Sequence, residues 1–495
     1  MRVRRMHPKR YLKCICCIFI VFMFWTVLSY LFSFKNEDFP DDVVYDIFID
    51  ETKEDHQHIP LNVEILEELQ RTKNRKKYDK SALEDPSDPV ILWWTEFTGE
   101  PGQSKLCGQR RCFFTNNRKY STHKNMRAYL FYGTDFSIKD LPLPRSHDHL
   151  WALFHEESPK NNYLLCHEDS LSLFNYTSTF RRESDFPIST QHLPSLSWLQ
   201  QKTYLKNISQ KNSYQEEEGL APVIYVQSDC DPPSDRDEFV KLLMNYVPVD
   251  SYGGCLNNRQ IPKHLSQPIE GMSHKDFYEL ISRYKFALSM ENAVCEDYMT
   301  EKLWRPLMVG TVPIVFGSSR VKDFLPSKKS ALVLTDYKSA EQVGAVLQYL
   351  NKNDAVYEEY RQWKNTGISN PFLQDVMTKR TWTPDMEGHR APDHKNFIES
   401  YECFICDSVH QNMDVVSEGQ ILKPKWANSS HYGCQKPMKF DSVGRYNKDG
   451  GWLDFWGTQW ERKGQVSSAL RRCVEEGRKY CGDIETNEPV KRDFK

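Results

Sequence analysis

Residues 284–320 read YKFALSMENAVCEDYMTEKLWRPLMVGTVPIVFGSSR. Phe286–Met290 is an apolar run short enough for a buried strand, Thr300–Met308 is spaced as a helix, and Val312–Phe316 is a second short apolar run. Strand–helix alternation of this kind points to parallel sheets covered on both faces. Polar residues crowd the first junction. Glu291 and Asn292 follow the strand, and Tyr298, Thr300, Glu301 and Lys302 begin the helix. Thr300 or Asp297 can cap that helix, and its positive end, together with Lys302, suits a diphosphate. Glu301 can hold sugar hydroxyls, and Tyr298 can stack on or hydrogen-bond a ligand. A plain surface pair is the simpler reading of Glu301 and Lys302, but it leaves the crowding unexplained.

The alternation extends in both directions. Upstream lie Val90–Trp94 (VILWW), Ala128–Tyr132 (AYLFY) and Leu150–Phe154 (LWALF), then a polar loop near 200–220. Pro222–Gln227, a helix near Arg236–Tyr246, a strand at Pro248–Tyr252 and a helix over Ser273–Arg283 follow. Downstream come Ala331–Leu334 and a helix over Lys338–Leu350. The expected fold is α/β, with two Rossmann-like lobes, 89–220 and 221–406, facing a cleft. Ligands in such sheets bind at the carboxyl ends of strands. Residues 407–495, aromatic and strongly charged, with GGWLDFWGTQW at 450–460, read as a disulfide-containing extension packed on the second lobe.

Two further segments carry chemistry. In WALFHEESP, from Trp151, a strand ends at Glu156 and Glu157 and is stopped by Ser158-Pro159. An ordinary strand-to-loop transition looks the same, but a half-buried carboxylate at a cleft mouth can act as a general base. Arg181 and Arg182, followed by Ser184 and Asp185, are candidates for lining the cleft toward an anionic ligand, or else a surface charge cluster.

These segments, in this order, resemble the α1,3-fucosyltransferases, an inverting family of GT-B fold. The family pattern runs YKF-x-L-x-F-E-N-S, DY-x-TEKLW and GTVPVV-x-G, against YKFALSMEN, EDYMTEKLW and GTVPIVFG here. Glu157-Ser158-Pro159 matches its E-S-P element, Asn175 to Asp185 its N-x-T-x-T-Y-R-R-D-S-D element, and Val247–Cys255 a strand and turn. The match is close over 150–320 and looser over 105–406, where Cys107, Cys112 and Cys403-x-x-Cys406 also fit. The resemblance implies an acceptor-binding first lobe and a GDP-fucose-binding second lobe. Glu157 would be the catalytic base. Arg236, Tyr298, Glu301 and Lys302 would contact the donor, with Glu291, Asn292 and Thr300 alongside. A base activates the acceptor oxygen while cations stabilise the departing diphosphate. GDP leaves readily, so no acid, cofactor or metal is expected, although Asp235-Arg236-Asp237 mimics a metal-binding D-x-D.

The chain departs from the pattern at Met290, Ala293 and Ser228-Asp229-Cys230, in the acceptor-lobe sequence, and in its extension. It is most similar to a divergent animal pair linked both to N-glycan core acceptors and to O-fucosylation of Ser/Thr in cysteine-rich (EMI-type) domains. The expected function is fucosyl transfer from GDP-fucose to a glycoprotein, favouring protein Ser/Thr over α1,3-fucosylation of GlcNAc in N-glycans. The other alternative is a luminal lectin-like or chaperone-like module without turnover.

The N-terminus supplies the setting. Residues 14–34 are 21 residues without a charge, enough to span a hydrocarbon core of about 30 Å. Arg2, Arg4, Arg5, Lys9, Arg10 and Lys13 precede them with no acidic residue. The positive-inside rule then makes 1–13 a cytosolic tail, 14–34 a transmembrane helix and 35–88 a polar luminal stem. An endoplasmic reticulum or Golgi membrane is expected. The whole chain has 65 basic and 68 acidic residues, and six of the basic ones precede position 35. The remainder is therefore net acidic, unlike a nucleic-acid binder. Eleven cysteines follow the apolar segment, an odd number, so in an oxidising lumen at least one stays free. Cys107, Cys112, Cys403, Cys406, Cys434, Cys473 and Cys481 are the disulfide candidates. Cys403-x-x-Cys406 admits zinc or thioredoxin chemistry, with structural disulfides preferred. Asn175, Asn207 and Asn428 head glycosylation sequons.

Overall fold

The computed structural model describes residues 85–97, 99, 102–384, 395–446 and 454–485. The expected tail, transmembrane helix and nearly all of the stem lie outside these residues. Among the described residues no helix is long and apolar enough to cross a membrane.

Short β-branched and aromatic runs, buried on both faces, form two sheets. The first contains β1 (Val90–Thr95), β2 (Gln103–Cys107), β3 (Arg110–Thr115), β4 (Met126–Tyr132), β5 (Leu150–His155) and β6 (Tyr176–Thr179), in the order β2-β3-β1-β4-β5-β6. Only the β2–β3 pair is antiparallel. Its polar β2 (QSKLC) is largely exposed, as an edge strand can be. The second sheet contains β7 (Val223–Gln227), β8 (Val249–Gly253), β9 (Phe286–Met290), β10 (Val312–Phe316) and β11 (Leu332–Val333), all parallel, in the order β11-β10-β9-β7-β8.

In both sheets a central strand is flanked by the strands before and after the reversal of order: β1 between β3 and β4, and β7 between β8 and β9. Such a switch point is where doubly wound sheets bind ligands. In the second sheet the opening is explicit. β9 pairs with β10 over five residues but with β7 only at Val223↔Phe286 and Ile224↔Ala287. The carboxyl halves of β7 and β9 therefore diverge.

Two expected boundaries move. Leu193 and Leu199 pack with Trp304 and Leu307 in the second lobe's core, and buried Lys211 donates to the carbonyls of Ser282 and Tyr284. The second lobe thus begins near 193, because apolar side chains of the seemingly polar loop cover the Glu301–Val309 helix. At the other end, the Phe397–Ser417 helix returns to the first sheet. Tyr401 and Ile405 join its core, Glu402 accepts from Trp93 at 2.8 Å and pairs with Lys105 at 2.7 Å. Residues 397–406 therefore belong to the first lobe. Cys403 and Cys406, three apart on one helix face, form disulfides with Cys107 of β2 and Cys112 of β3.

The extension does not simply cover the second lobe. Phe440 joins that lobe's core, but Val466 and Leu470 of the Asp454–Glu475 helix pack in the first lobe. Cys473–Cys481 closes the end of that helix, and Cys230–Cys255 and Cys295–Cys434 complete the disulfides. Among the described residues the free cysteine is Cys166.

Candidate active site

The divergence of β7 and β9 opens a cavity of about 340 Å³ lined by Gln227, Ser228, Asp229, Arg236, Asn292, Tyr298, Thr300, Glu301 and Lys302, and by Glu157 from the other lobe. The two lobes meet tightly beside it, since Ala293, Cys295 and Tyr298 sit in the first lobe's core.

The loop after β9 is organised by Glu291. This buried carboxylate accepts from the Thr300 amide at 2.8 Å and from its hydroxyl at 2.8 and 3.0 Å. Thr300 in turn caps the Glu301–Val309 helix. Lys302 Nζ lies 3.0 Å from Glu301 Oε1, 3.2 Å from Thr300 Oγ1 and 3.8 Å from Glu291 Oε2. Burial works against the ammonium, but Glu301 and Glu291 outweigh it and hold its pKa above the ordinary lysine value. Burial acts on Glu301 too, yet Lys302, His192 and Arg305 hold that carboxyl below its usual range. On Glu291, burial wins and its pKa rises. The result is a protonated ammonium at a helix N-terminus, braced by two carboxylates and facing the cavity.

Arg236, 1% exposed, donates to the carbonyls of Met290 and Asp229, each at 2.9 Å, while its Nε has no protein partner. Asn292 Oδ1 is likewise buried without a partner. Buried polar atoms are rarely left unpaired, so one orphaned donor and one orphaned acceptor on residues lining the same cavity mark it as a place for a polar ligand. The carboxylates flanking Arg236 are otherwise engaged. Asp235 accepts from the Phe440 amide at 2.7 Å, and Asp237 from Tyr225 at 2.5 Å and the Asp231 amide at 2.7 Å. The D-x-D mimic is thus a set of local braces.

Glu157 enters from the end of β5. Burial raises its pKa above the usual carboxylate value, opposed by Lys302 and a hydrogen bond from Tyr298. Its neighbour Glu156 does not line the cavity. It accepts from Tyr132 at 2.9 Å, and burial pushes it up to about 7. Arg181 and Arg182 are also elsewhere. Arg181 pairs with Glu183 and Glu296, and Arg182 with Asp297 at 2.7 Å and Asp323 at 2.8 Å. They clasp one lobe to the other across the fully buried Asp297, instead of facing a ligand.

Residues with no sequence signal also arrive. His192 lines the cavity with Nδ1 3.8 Å from Glu301 Oε2, its pKa drawn down to about 4 by burial. It comes from a loop with no periodicity to read. Arg305, four residues after Glu301 on the same helix, was legible in principle. Tyr432, from the extension, donates to the Glu157 carbonyl and stacks on His155 at 5.1 Å.

Of the sequon asparagines, Asn207 and Asn428 are exposed. Asn175 is buried, accepts from the Trp151 amide at 2.9 Å and donates to the Lys425 carbonyl at 3.0 Å. A glycan cannot be accommodated there in the folded chain, which corrects the expectation for that position.

The models "Fucosyltransferase, N-terminal" and "Glycosyltransferase family 10 (fucosyltransferase) C-term" match residues 86–191 and 217–419. The chain is 40% identical to "GDP-fucose protein O-fucosyltransferase 3" of Gallus gallus, over 96% of this chain and 97% of that one. It is 40% identical to the Homo sapiens protein of that name over 97% of each, and 43% identical to that of Xenopus laevis over 79% and 82%. A solved α1,3-fucosyltransferase with GDP-fucose is similar over 67% of this chain and 93% of its own, at 18% identity and a TM-score of 0.37. The chain is a GDP-fucose-dependent glycosyltransferase, and it belongs to glycosyltransferase family 10, the fucosyltransferases.

Proposed function

We propose that the chain transfers L-fucose, with inversion, from GDP-fucose to a Ser or Thr hydroxyl of a folded cysteine-rich, EMI-type protein domain. The observation that carries the chemistry is the placement of Glu157 from one lobe on the same cavity as Lys302 and Arg236 from the other. Two such lobes facing a cleft are the GT-B arrangement. GDP-fucose lies at the switch point of the second sheet, its diphosphate against Lys302, Arg236 and the capped start of the Glu301–Val309 helix. Glu157 takes the proton of the acceptor hydroxyl, the acceptor oxygen bonds to C1 of fucose, and the C1–O bond to the diphosphate breaks with its electron pair going to GDP. Lys302 and Arg236 balance the departing charge, and no metal is required of them.

The protein acceptor is supported by the names of relatives at about 40% identity over nearly the full chain. Residues 14–34 anchor the enzyme in an endoplasmic reticulum or Golgi membrane with the catalytic part luminal. Disulfides such as Cys107–Cys403 support that setting. The test is an acceptor screen with labelled GDP-fucose, with and without chelator. Label on a folded cysteine-rich domain, insensitive to chelator, is expected. Label on free N-acetyllactosamine and on no polypeptide would overturn the acceptor assignment.

A further inference from the structure

The Asp454–Glu475 helix closes a second cavity, of about 430 Å³, against the first lobe. Its walls are the turn after β4, with Phe136, the segment Lys160–Tyr163 that follows Glu157, and Phe455, Trp456 and Gln459 of the helix. Phe455 is 59% exposed, an unusual place for a large aromatic side chain unless something covers it. Trp456 is fixed in place: its indole donates to the Asp231 carbonyl at 2.9 Å, and its ring lies 5.9 Å from that of Tyr163.

This groove adjoins the donor cavity. Lys160 lines the groove, Asp229 lines the donor cavity, and the two side chains form an ion pair. One partly exposed ion pair is therefore a shared wall. Lys160 is three residues beyond Glu157, which places its Cα no more than about 11 Å from that of the base. The groove is therefore within reach of an acceptor whose reacting hydroxyl meets Glu157. An extended peptide, rising about 3.3 Å per residue, reaches it within about three residues of the reacting hydroxyl.

We infer that the groove binds the acceptor polypeptide beside its reacting Ser or Thr, taking a large apolar side chain from within about three positions of that residue. Phe455 and the half-buried Trp456, backed by the buried Tyr163, supply the aromatic surface that such anchors seek. The amides of Asn161 and Gln459 suit the peptide main chain. The C-terminal helix is then an acceptor-recognition element, and the inference rests on the protein-acceptor reading above.

The test uses the full chain, with GDP-fucose and a folded cysteine-rich domain as acceptor, and compares wild type with Phe455→Ala and a Phe455→Ala, Gln459→Ala double variant. The expected result is a rise of about tenfold in KM for the domain, with KM for GDP-fucose and acceptor-independent GDP release unchanged. Those last two readouts report that the donor site is folded. Phe455→Trp should restore the acceptor KM. Replacing the domain's apolar flanking residue by Ala should have little added effect in the Phe455→Ala variant. If wild type labels the domain and the double variant keeps its acceptor KM, the groove assignment is wrong while the acceptor reading stands. If wild type labels free N-acetyllactosamine and no folded domain, both fall.

Discussion

The hydroxyl of Tyr432 donates to the backbone carbonyl of Glu157 at 2.9 Å, across 275 residues of sequence. The ring that carries it stacks on His155 and lies 5.2 Å from Phe180, which in turn lies 4.8 Å from Tyr298. Two residues later Cys434 is joined to Cys295, in the loop between Glu291 and Tyr298. The extension thus holds the carboxylate of one lobe in register with the donor loop of the other. Tyr432→Phe keeps the rings and removes the hydrogen bond. It should lower stability by about 1 kcal/mol and reduce kcat severalfold, with KM for GDP-fucose unchanged. Thermal unfolding and steady-state kinetics measure both.

Glu157→Gln removes the base without changing its shape. Transfer should fall by about 10²–10⁴-fold while GDP binding, read by calorimetry, persists. The wild-type pH profile gives a second check. A base must be deprotonated to act, and burial raises the Glu157 pKa. The acid limb of kcat/KM should therefore rise through a pH above the ordinary glutamate value of about 4.3. A limb at or below that value would remove Glu157 from the role.

Lys302 is braced by Glu291 and Glu301, so its removal has two effects. Lys302→Ala should raise KM for GDP-fucose. It should also destabilise the fold by about 3–5 kcal/mol, because two sheltered carboxylates lose their counter-charge. In wild type the Glu301 pKa is depressed, so its stabilising share is present above the unfolded value and is lost as pH falls through the folded one. The stability gap between wild type and variant should therefore be widest at neutral pH and narrow in acid. A gap independent of pH would contradict the pairing.

Arg182 separates structure from catalysis. Its guanidinium meets Asp297, which has no solvent exposure. Arg182→Ala should cost about 2 kcal/mol, the loss of charged hydrogen bonds to Asp297, which keeps Arg181 at 3.7 Å and Arg320 at 3.8 Å, with donor KM unaltered in the folded fraction. A donor KM that rises while stability holds would return Arg182 to the cleft.

Glycopeptide mapping of the secreted luminal part should find occupied Asn207 and Asn428 and unmodified Asn175. Only Asn175 has both ends of its amide engaged inside the fold.

The sequence by itself determined eight of the eleven described strands, the parallel α/β class and the donor loop; β2, β3 and β6 carry polar residues through their short runs and give no clear strand signal. β9 and β10 fall at Phe286–Met290 and Val312–Phe316 as their apolar runs imply, because such segments are local signals bounded by turn residues. The Glu291–Lys302 cluster was legible for the same reason, since one strand-to-helix junction carries its own cap and charges. Only the tertiary structure decided which charges face the cavity. Arg181 and Arg182 look like ligand-binding residues in sequence, and lose that role because Glu296 and Asp297, more than a hundred residues away, reach them first. The affiliation of Cys403 and Cys406, the arrival of His192 and Tyr432, and the groove under the C-terminal helix likewise depend on contacts between segments far apart in the chain. Periodicity reports which face of an element is buried, and is silent on which distant segment buries it.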